Sequence, residues 1–349
     1  MIRTQTALRL SGGALALLSA ATAAVGLRNL SYAARDARRV ARAGFTEKHA
    51  NVGGSVLNYA EGPDNGPPVV LIHGQVTDWR SWSRTLPDLA RRHHVFAVDC
   101  YGHGGSQHVP HKYRATALAA DINDFVAGVV GEPAIIAGHS SGGLIAAVLA
   151  ADTPALVRAV ALEDPPFFSS VLPRAVKTFN YVGLATGAHD FLATGGTDFT
   201  AYFLRHAAIW KLFGPLAGPL QSSGAACRRL RPGKPVRFFA LPPTFNELFR
   251  AMDSYDPRFG NTFYDNSFHD GFDHAETLAR ISVPAALIHA NWSYDDDGVL
   301  LAAMSGEDAE RARSLLRDVT FHRVDTGHGF HFEDPRGFNR IIAELSDRL

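Results

Sequence analysis

A serine between two glycines is the residue best placed to do chemistry in this sequence. Gly138-His139-Ser140-Ser141-Gly142 directly follows the apolar run Ala134–Ala137 and directly precedes a segment long enough for a helix. This is the G-x-S-x-G pattern in the strand–turn–helix context of a nucleophile elbow. The sharp turn would hold the hydroxyl of Ser140 exposed, and the N–H of Ser141 at the helix start would face developing negative charge. The pattern therefore predicts a nucleophilic serine.

A second oxyanion donor is expected from the run Leu71-Ile72-His73-Gly74-Gln75, which ends another apolar strand. Gly74 would let the backbone approach a substrate closely, and the N–H of Gln75 would then partner that of Ser141. The side chain of His73 is expected only to hydrogen-bond this loop, because the oxyanion site needs the backbone alone.

The general base is expected after the last predicted strand, Val319–Val324. His328 lies on the loop that follows, from which it could take the proton of Ser140 and return it to a leaving group. His331 is the competing histidine, although its place three residues further on suits lining the site or capping the final helix.

The elements that must position these loops alternate between strand and helix. Gly53-Gly54 predicts a hairpin between Phe45–Val52 and Ser55–Ala60. Short apolar runs that suit buried strands follow, at 69–72, 95–98, 134–137, 157–162, 285–289 and 319–324. Helical patterns at 81–92, 116–130, 141–151, 300–317 and 335–349 separate or follow them. Alternation of this kind predicts a parallel α/β sheet with helices on both faces.

The alternation stops between residues 165 and 279, where the chain is rich in Phe, Pro and Gly. A loop of that length would be unusual, so a mainly helical insertion is expected there. The sequence thus predicts a core made of residues 45–164 and 280–349, with a lid formed by residues 165–279.

These motifs, in this order, resemble the α/β-hydrolase superfamily. The resemblance also includes the run from Asp99 to Ser106, and Gly327-His328 with Glu333-Asp334-Pro335 behind it. It implies a mostly parallel eight-stranded sheet, a lid after the sixth strand, and a triad in the order serine, acid, histidine.

The triad acid is where the sequence departs from this family. Many relatives carry an aspartate at the position that Ser293 occupies here, and three aspartates, Asp295, Asp296 and Asp297, follow two residues late. Asp296 is the favoured acid because Val299 follows it at the usual spacing before a helix, with Asp295 next. The alternative is Glu163 or Asp164 at the end of the sixth strand, where some relatives place the acid.

The serine also selects the chemistry that the resemblance implies. Dehalogenases and epoxide hydrolases of this fold use an aspartate nucleophile, so Ser140 favours acyl transfer to water through an acyl-enzyme. An aromatic-rich lid favours a small to medium apolar substrate, unless its rings mainly pack the lid. The alternatives are a C–C hydrolase, lyase or haloperoxidase-like enzyme on the same triad, and a non-catalytic ligand-binding protein of this fold.

Composition excludes several other classes of protein. Lys+Arg and Asp+Glu number 34 each in 349 residues, so the electrostatic case for a nucleic-acid partner is missing. Charged residues at 19% argue against a disordered chain. The two cysteines are too few for a disulfide scaffold, and no metal or organic cofactor is implied. A small-molecule substrate is the expected partner, and the oligomeric state stays open.

The N-terminal 44 residues differ from the rest. No acidic residue precedes Asp36, and an uncharged stretch runs from Leu10 to Leu27 with the small residues Ala21-Thr22-Ala23 inside it. Residues 1–44 therefore predict a signal peptide or a membrane anchor, hence an exported or membrane-anchored protein. The alternative is a cytoplasmic protein in which an Ala-rich helix packs on the body.

Overall fold

A computed structural model describes residues 24–349, and an eight-stranded sheet forms their centre. The strands are β1 (Thr46–Val52), β2 (Ser55–Glu61), β3 (Pro68–Ile72), β4 (His94–Val98), β5 (Ala134–His139), β6 (Val157–Glu163), β7 (Ala285–His289) and β8 (Val319–Arg323). Their order across the sheet is β1-β2-β4-β3-β5-β6-β7-β8. β1 pairs antiparallel with β2, as does β2 with β4, and every later pair is parallel. The predicted fold class is confirmed.

The central strands are apolar throughout because both faces of the sheet are covered. β3 and β5 are buried at every position, as expected for parallel strands between two helical layers. Their register pairs Ile72 with Gly138, and that of β6 with β7 pairs Glu163 with Ile288. The carboxyl ends of the four central strands therefore meet at one edge of the sheet, where ligands bind in open α/β sheets.

The helices are α1 (residues 24–42), α2 (Leu86–Leu89), α3 (Ala115–Phe125), α4 (Ser141–Asp152), α5 (Thr186–Ala193), α6 (Phe199–His206), α7 (Ala217–Leu230), α8 (Pro243–Ala251), α9 (Pro257–Tyr264), α10 (His274–Arg280), α11 (Gly306–Leu315), α12 (Phe330–Glu333) and α13 (Pro335–Ser346). The helix expected from Leu300 begins only at Gly306. Ser305 and Asp308 form a capping box there, which satisfies the first N–H groups of α11 and starts the helix at that point. The chain from β7 to Ser305 is consequently a long irregular loop.

The segment between β6 and β7 contains α5 to α10 and no strand of the sheet. Its last helix, α10, packs against α4 and α11 beside the sheet, whereas the preceding helices form the lid. The lid has an aromatic core of its own, whose ring centroids lie 5.2–6.1 Å apart. Its members are Phe203, Trp210, Phe238, Phe245 and Phe249. Many of the lid's aromatic residues thus pack against one another.

Helix α1 packs on the body of the protein. Tyr32 and Val40 are buried, and Asp36 forms an ion pair with Arg84 at 3.0 Å. The remainder of the predicted leader, including Ala21-Thr22-Ala23, lies outside the described residues. Among residues 24–349, no helix combines the length and the apolar character that crossing a membrane requires.

A buried ion pair joins the lid to the core. The guanidinium of Arg250, on α8, donates two hydrogen bonds of 2.7 and 2.8 Å to the carboxylate of Asp78, in the loop after β3. Burial alone would raise the pKa of Asp78, but Arg250 holds it at about 2. Glu247, one turn earlier on α8, accepts from the same guanidinium at 2.8 Å. The position of α8 over the core therefore depends on this pair.

Arg250→Met is expected to lower the free energy of unfolding by about 3–5 kcal/mol, because it leaves the buried charge of Asp78 with only the longer ion pair to Arg80, at 3.7 Å. Arg280→Met is the matched control, since its ion pair with Asp152 is half exposed on both sides and should cost less than about 1 kcal/mol. Denaturant unfolding of both variants measures the difference. Equal losses would contradict the role given to Arg250.

Candidate active site

The turn between β5 and α4 holds Ser140 in a strained backbone conformation. Its φ of 55° and ψ of −122° are rare for a residue with a side chain and cost on the order of 1–3 kcal/mol. A Cβ at Gly138 would overlap the carbonyl of Gly142, and one at Gly142 would overlap the carbonyl of Ile72. Both glycines of the motif are therefore required by close backbone contact. Ser140 lies where a nucleophile elbow places its serine.

His328 hydrogen-bonds Asp164, with 2.7 Å between Nδ1 and Oδ2. Asp164 comes directly after β6, and its own N–H donates to the carbonyl of Ile288 at 2.8 Å. The aspartate is buried, whereas the side chain of His328 is 44% exposed. Because Nδ1 faces the carboxylate, it carries the proton and the Nε2 lone pair remains available. His328 thus has the orientation of a general base.

The expectation that Asp296 or Asp295 would contact His328 is wrong. Asp295 Oδ1 instead accepts the N–H groups of Asp297 and Val299, at 3.0 and 2.8 Å. All three aspartates are exposed in a loop that turns back on itself. The spacing to Val299 was misleading because no helix starts there, and the carboxylate of Asp295 stabilises the turn instead. One signal did point to Asp164: it follows its strand directly, as Ser140 follows β5.

The hydrogen bond from His328 changes the basicity of the imidazole. Burial by itself would lower the pKa of His328, but the hydrogen bond and the negative charge of Asp164 outweigh it, and the pKa is raised. An imidazolium formed by taking a proton from Ser140 would be stabilised in the same way. The pair therefore favours proton transfer to His328.

The turn that carries Ser140 is hydrogen-bonded to the loop after β8 that carries His328, which we call the histidine loop. His139, beside the serine, lies 2.9 Å through Nε2 from the carbonyl oxygen of His328. A carbonyl only accepts, so Nε2 of His139 carries the proton. Neither Ser140 Oγ nor His328 Nε2 has a hydrogen-bond partner among residues 24–349. Catalytic hydrogen bonds in unliganded enzymes often form only when substrate binds.

The two expected oxyanion donors belong to residues near this serine: Ser141 follows it directly, and Gln75 follows Gly74, where an added Cβ would lie 2.9 Å from that of Ser140. The N–H groups of Gln75 and Ser141 have no protein acceptor within the described part of the chain, as an oxyanion site requires. The side chain of Gln75 reaches the lid, with Asn180 and Tyr255 each at 3.4 Å. His73 accepts the N–H of Cys100 at 3.0 Å and donates to Gly74 at 2.7 Å, which is the structural role expected for it.

A second histidine–carboxylate pair lies behind the first. His331 directs its N–H and Nδ1 to Glu163 Oε1, at 3.0 and 2.8 Å. Burial raises the pKa of Glu163 to about 7 and lowers that of His331 to about 3. The ring of His331 lies 4.0 Å from the indole of Trp82, and its Nε2 has no partner in residues 24–349. Enclosed in this way, His331 is poorly placed to act as the competing base.

Three buried side chains here have the chemistry of metal ligands. Ligand atoms of His139, Glu163 and His331 lie within 4.8 Å of one another, and such residues can bind zinc. Glu163, however, already accepts two hydrogen bonds from His331, and His139 is bonded to the histidine loop. Their contacts are those of a packed polar cluster. It could not be seen in the sequence because its members are far apart along the chain, at the ends of β5 and β6 and in α12.

The sheet order and the turn that carries Ser140 are those of an α/β hydrolase, and comparison with known proteins gives the same family. The profile of the alpha/beta hydrolase fold family matches residues 67–335, and the chain belongs to this family. It is 35% identical over 300 residues to the magnesium-chelatase 30 kDa subunit of Rhodobacter capsulatus, covering 81% of this chain and 88% of that protein. It is 36% identical over 301 residues to bifunctional epoxide hydrolase 2 of Sus scrofa, covering 80% of this chain but only 51% of that protein.

Solved structures show the same fold. A bacterial membrane phospholipase A superposes with a TM-score of 0.62 at 23% identity, covering 97% of this chain and 98% of that one. The enol-lactonase of Burkholderia xenovorans LB400 gives 0.56 at 20% identity, covering 86% and 100%. At these identities the likeness extends to the fold alone.

Asp164→Asn is expected to lower kcat by about 10³–10⁴-fold, the loss seen when a triad aspartate is replaced elsewhere. Because Asp164 raises the pKa of His328, the acidic limb of the kcat/KM profile should also move to lower pH. Asp295→Asn and Asp296→Asn are the controls and should leave both quantities near wild type. Steady-state ester hydrolysis from pH 5 to 9 provides the measurement. A larger loss in either control would assign the acid to the loop.

Glu163→Gln tests the buried pair through stability. The raised pKa of about 7 means that folding favours protonated Glu163, so its contribution is complete below pH 4.5 and is lost as the pH rises through 7. Glutamine does not titrate. Between pH 5 and 8 the wild type should therefore lose about 3 kcal/mol relative to the variant, as measured by denaturant unfolding.

Glu132→Gln, at an exposed position, is the control for this measurement and should leave the pH dependence of the wild type in place. A constant difference between wild type and Glu163→Gln across this range would show that Glu163 is ionised throughout.

Proposed function

We propose that the protein is a serine hydrolase that cleaves an ester or related acyl bond of a small to medium apolar substrate. The proposal rests on one arrangement: Ser140 in the strained turn after β5, with His328 held at 2.7 Å by buried Asp164. Nucleophile, base and orienting acid thus come from three strand ends at one edge of the sheet, in the chain order that this family uses.

In the proposed reaction, His328 Nε2 takes the proton of Ser140 as Oγ attacks the substrate carbonyl. The N–H groups of Gln75 and Ser141 stabilise the oxyanion of the tetrahedral intermediate. The imidazolium then protonates the leaving alkoxide or thiolate, and the acyl group stays on Ser140. Water, deprotonated by His328, attacks the acyl-enzyme, so the carboxylic acid leaves and Ser140 regains its proton.

The similar proteins exclude some of the reactions that this fold can catalyse, but they leave several open. Epoxide hydrolases of this fold use an aspartate nucleophile, and the corresponding residue here is Ser140, so the epoxide chemistry of the pig relative is not proposed for this chain. C–C bond cleavage, lyase and haloperoxidase-like chemistry could use the same triad. The ester reaction is favoured because two backbone donors and a serine are the parts that acyl transfer needs.

A non-catalytic role is the second candidate, and the similarity to a magnesium-chelatase subunit favours it. Such a protein would use the fold to bind a ligand or a larger complex, and mutation of Ser140 would then have no effect on its activity. The pairing of Asp164 with His328 supports the enzyme instead, because it orients a half-exposed imidazole as a general base requires.

The N-terminal segment carries a separate proposal, export or membrane anchoring. It rests on the order of residue types in residues 1–44: basic residues come first, an uncharged stretch follows, and further basic residues end the segment. Cell fractionation, together with the intact mass of the purified protein, distinguishes a cleaved signal from a retained anchor. Recovery of the full-length chain in the soluble fraction would contradict both.

Ser140→Ala and His328→Ala should each abolish turnover of p-nitrophenyl butyrate, because the first removes the nucleophile and the second removes the general base that activates it. A series of p-nitrophenyl esters from acetate to palmitate then measures the preferred acyl length. Unchanged melting temperatures would show that both variants fold. Near-full activity in either variant would refute the assigned roles, and wild-type protein without serine-dependent turnover would favour the binding candidate.

A further inference from the structure

The outer part of the lid carries positive charge without compensation. Between Asp198 and Glu247 there is no acidic residue, while seven lysines and arginines occur there: Arg205, Lys211, Arg228, Arg229, Arg231, Lys234 and Arg237. Arg228 pairs with Asp198 and Asp253. The other six are exposed and form no ion pair among the described residues. We refer to residues 205–239 as the lid face.

Large apolar side chains are exposed on the same stretch. Leu212 is 59% exposed, Leu216 63% and Leu230 75%. The first two flank the Gly214-Pro215 turn before α7, and Leu230 ends that helix. Leucines that protrude beside unpaired basic residues are costly in water, but they suit the boundary between lipid headgroups and acyl chains.

The N-terminal segment meets the lid face. Asn29 donates to the carbonyl of Phe239 at 3.0 Å, and Arg237 donates to that of Leu30 at 3.4 Å. The ring of Phe239 lies against Gly26, leaving no room for a side chain there. In the sequence, the uncharged stretch that begins at Leu10 ends at Leu27. The start of α1 therefore contacts the C-terminal end of the lid face at Arg237 and Phe239.

Helix α1 extends the positive charge from this junction. Arg28, Arg35, Arg38, Arg39 and Arg42 are exposed on it. Its one acid, Asp36, is buried and paired with Arg84. The first half of α1 adds Val25 and Leu27 as exposed apolar residues. Charge and apolar surface thus occur together on two segments that contact each other.

We propose that the lid face and the start of α1 dock together on an anionic lipid bilayer. Leu212, Leu216 and Leu230 would enter the interfacial layer, and the unpaired lysines and arginines would bind lipid phosphates. A second copy of this chain is disfavoured as the occupant, because two such faces would repel each other. The docking does not rest on the proposed hydrolase activity.

The test measures membrane contact of the lid face separately from any contact made by the N-terminal leader. The experiment uses full-length protein in which Cys227→Ser leaves Cys100, which is buried, as the only native cysteine. In this background, Leu216→Cys introduces a cysteine that is labelled with an NBD fluorophore. Ser314→Cys, exposed on α11, carries the same label as the matched control. Vesicles of phosphatidylcholine with 30% phosphatidylglycerol are expected to shift the emission at position 216 to the blue with a several-fold gain in intensity. Pure phosphatidylcholine vesicles, 0.5 M NaCl, or the label at 314 should show little change.

Charge reversal tests the electrostatic part. Arg229→Glu, Arg231→Glu and Lys234→Glu combined should weaken the response at position 216 at least tenfold in lipid concentration. The control combines Arg317→Glu, Arg336→Glu and Arg340→Glu, which are exposed elsewhere and change the net charge equally, and it should keep the response.

Water-like emission at position 216 on anionic vesicles would overturn the proposal, as would equal loss in both triple variants or an equal response on neutral lipid. Hydrolysis of soluble p-nitrophenyl butyrate is measured in parallel on every variant. Loss of docking with hydrolysis retained rejects this proposal alone. Docking without hydrolysis in wild-type protein rejects the hydrolase alone.

Discussion

The close backbone contact at the β5–α4 turn is the constraint on which the site depends. Gly142 lies against the carbonyl of Ile72, and Gly138 against that of Gly142, so α4 starts in contact with the end of β3. This contact requires the left-handed conformation of Ser140. It also places the N–H of Ser141 beside the loop that presents Gln75. The proposed nucleophile and the proposed oxyanion donors thus depend on one steric requirement rather than on separate interactions.

The parallel sheet adds the remaining groups because its strands end together. Glu163 and Asp164 are adjacent at the end of β6, and each faces a different histidine: Asp164 faces His328 in the loop after β8, and Glu163 faces His331 at the start of α12. The Asp164–His328 and Glu163–His331 pairs differ in how accessible their imidazoles are to solvent. Buried Asp164 leaves an exposed imidazole that can exchange protons with a substrate, whereas Glu163 and His331 are enclosed. The enclosed pair anchors the start of α12 and thereby fixes the loop that carries His328.

Much of this could be predicted from sequence, because the informative signals were local. Apolar runs marked the strands, and G-x-S-x-G located Ser140 because the motif stands directly between an apolar strand run and a helical segment in the sequence. The acid could not be chosen in that way. β6 and β7 are neighbouring parallel strands that end at the same edge of the sheet, so the sequence allowed an acid from either. Only the folded loops show that Asp295 accepts hydrogen bonds from its own turn, while Asp164 faces the imidazole of His328. The lid's aromatic residues were equally ambiguous, because a lid core and a substrate pocket share the same composition.

The central claim is that Ser140 is a nucleophile activated by His328, and covalent labelling tests it most directly. The folded protein is incubated with a fluorophosphonate, its intact mass is measured, and the modified peptide is sequenced by mass spectrometry. We predict one adduct per chain, on Ser140, that is absent from Ser140→Ala and forms far more slowly in Asp164→Asn. No adduct on folded wild-type protein, or an adduct on another residue, would contradict the claim.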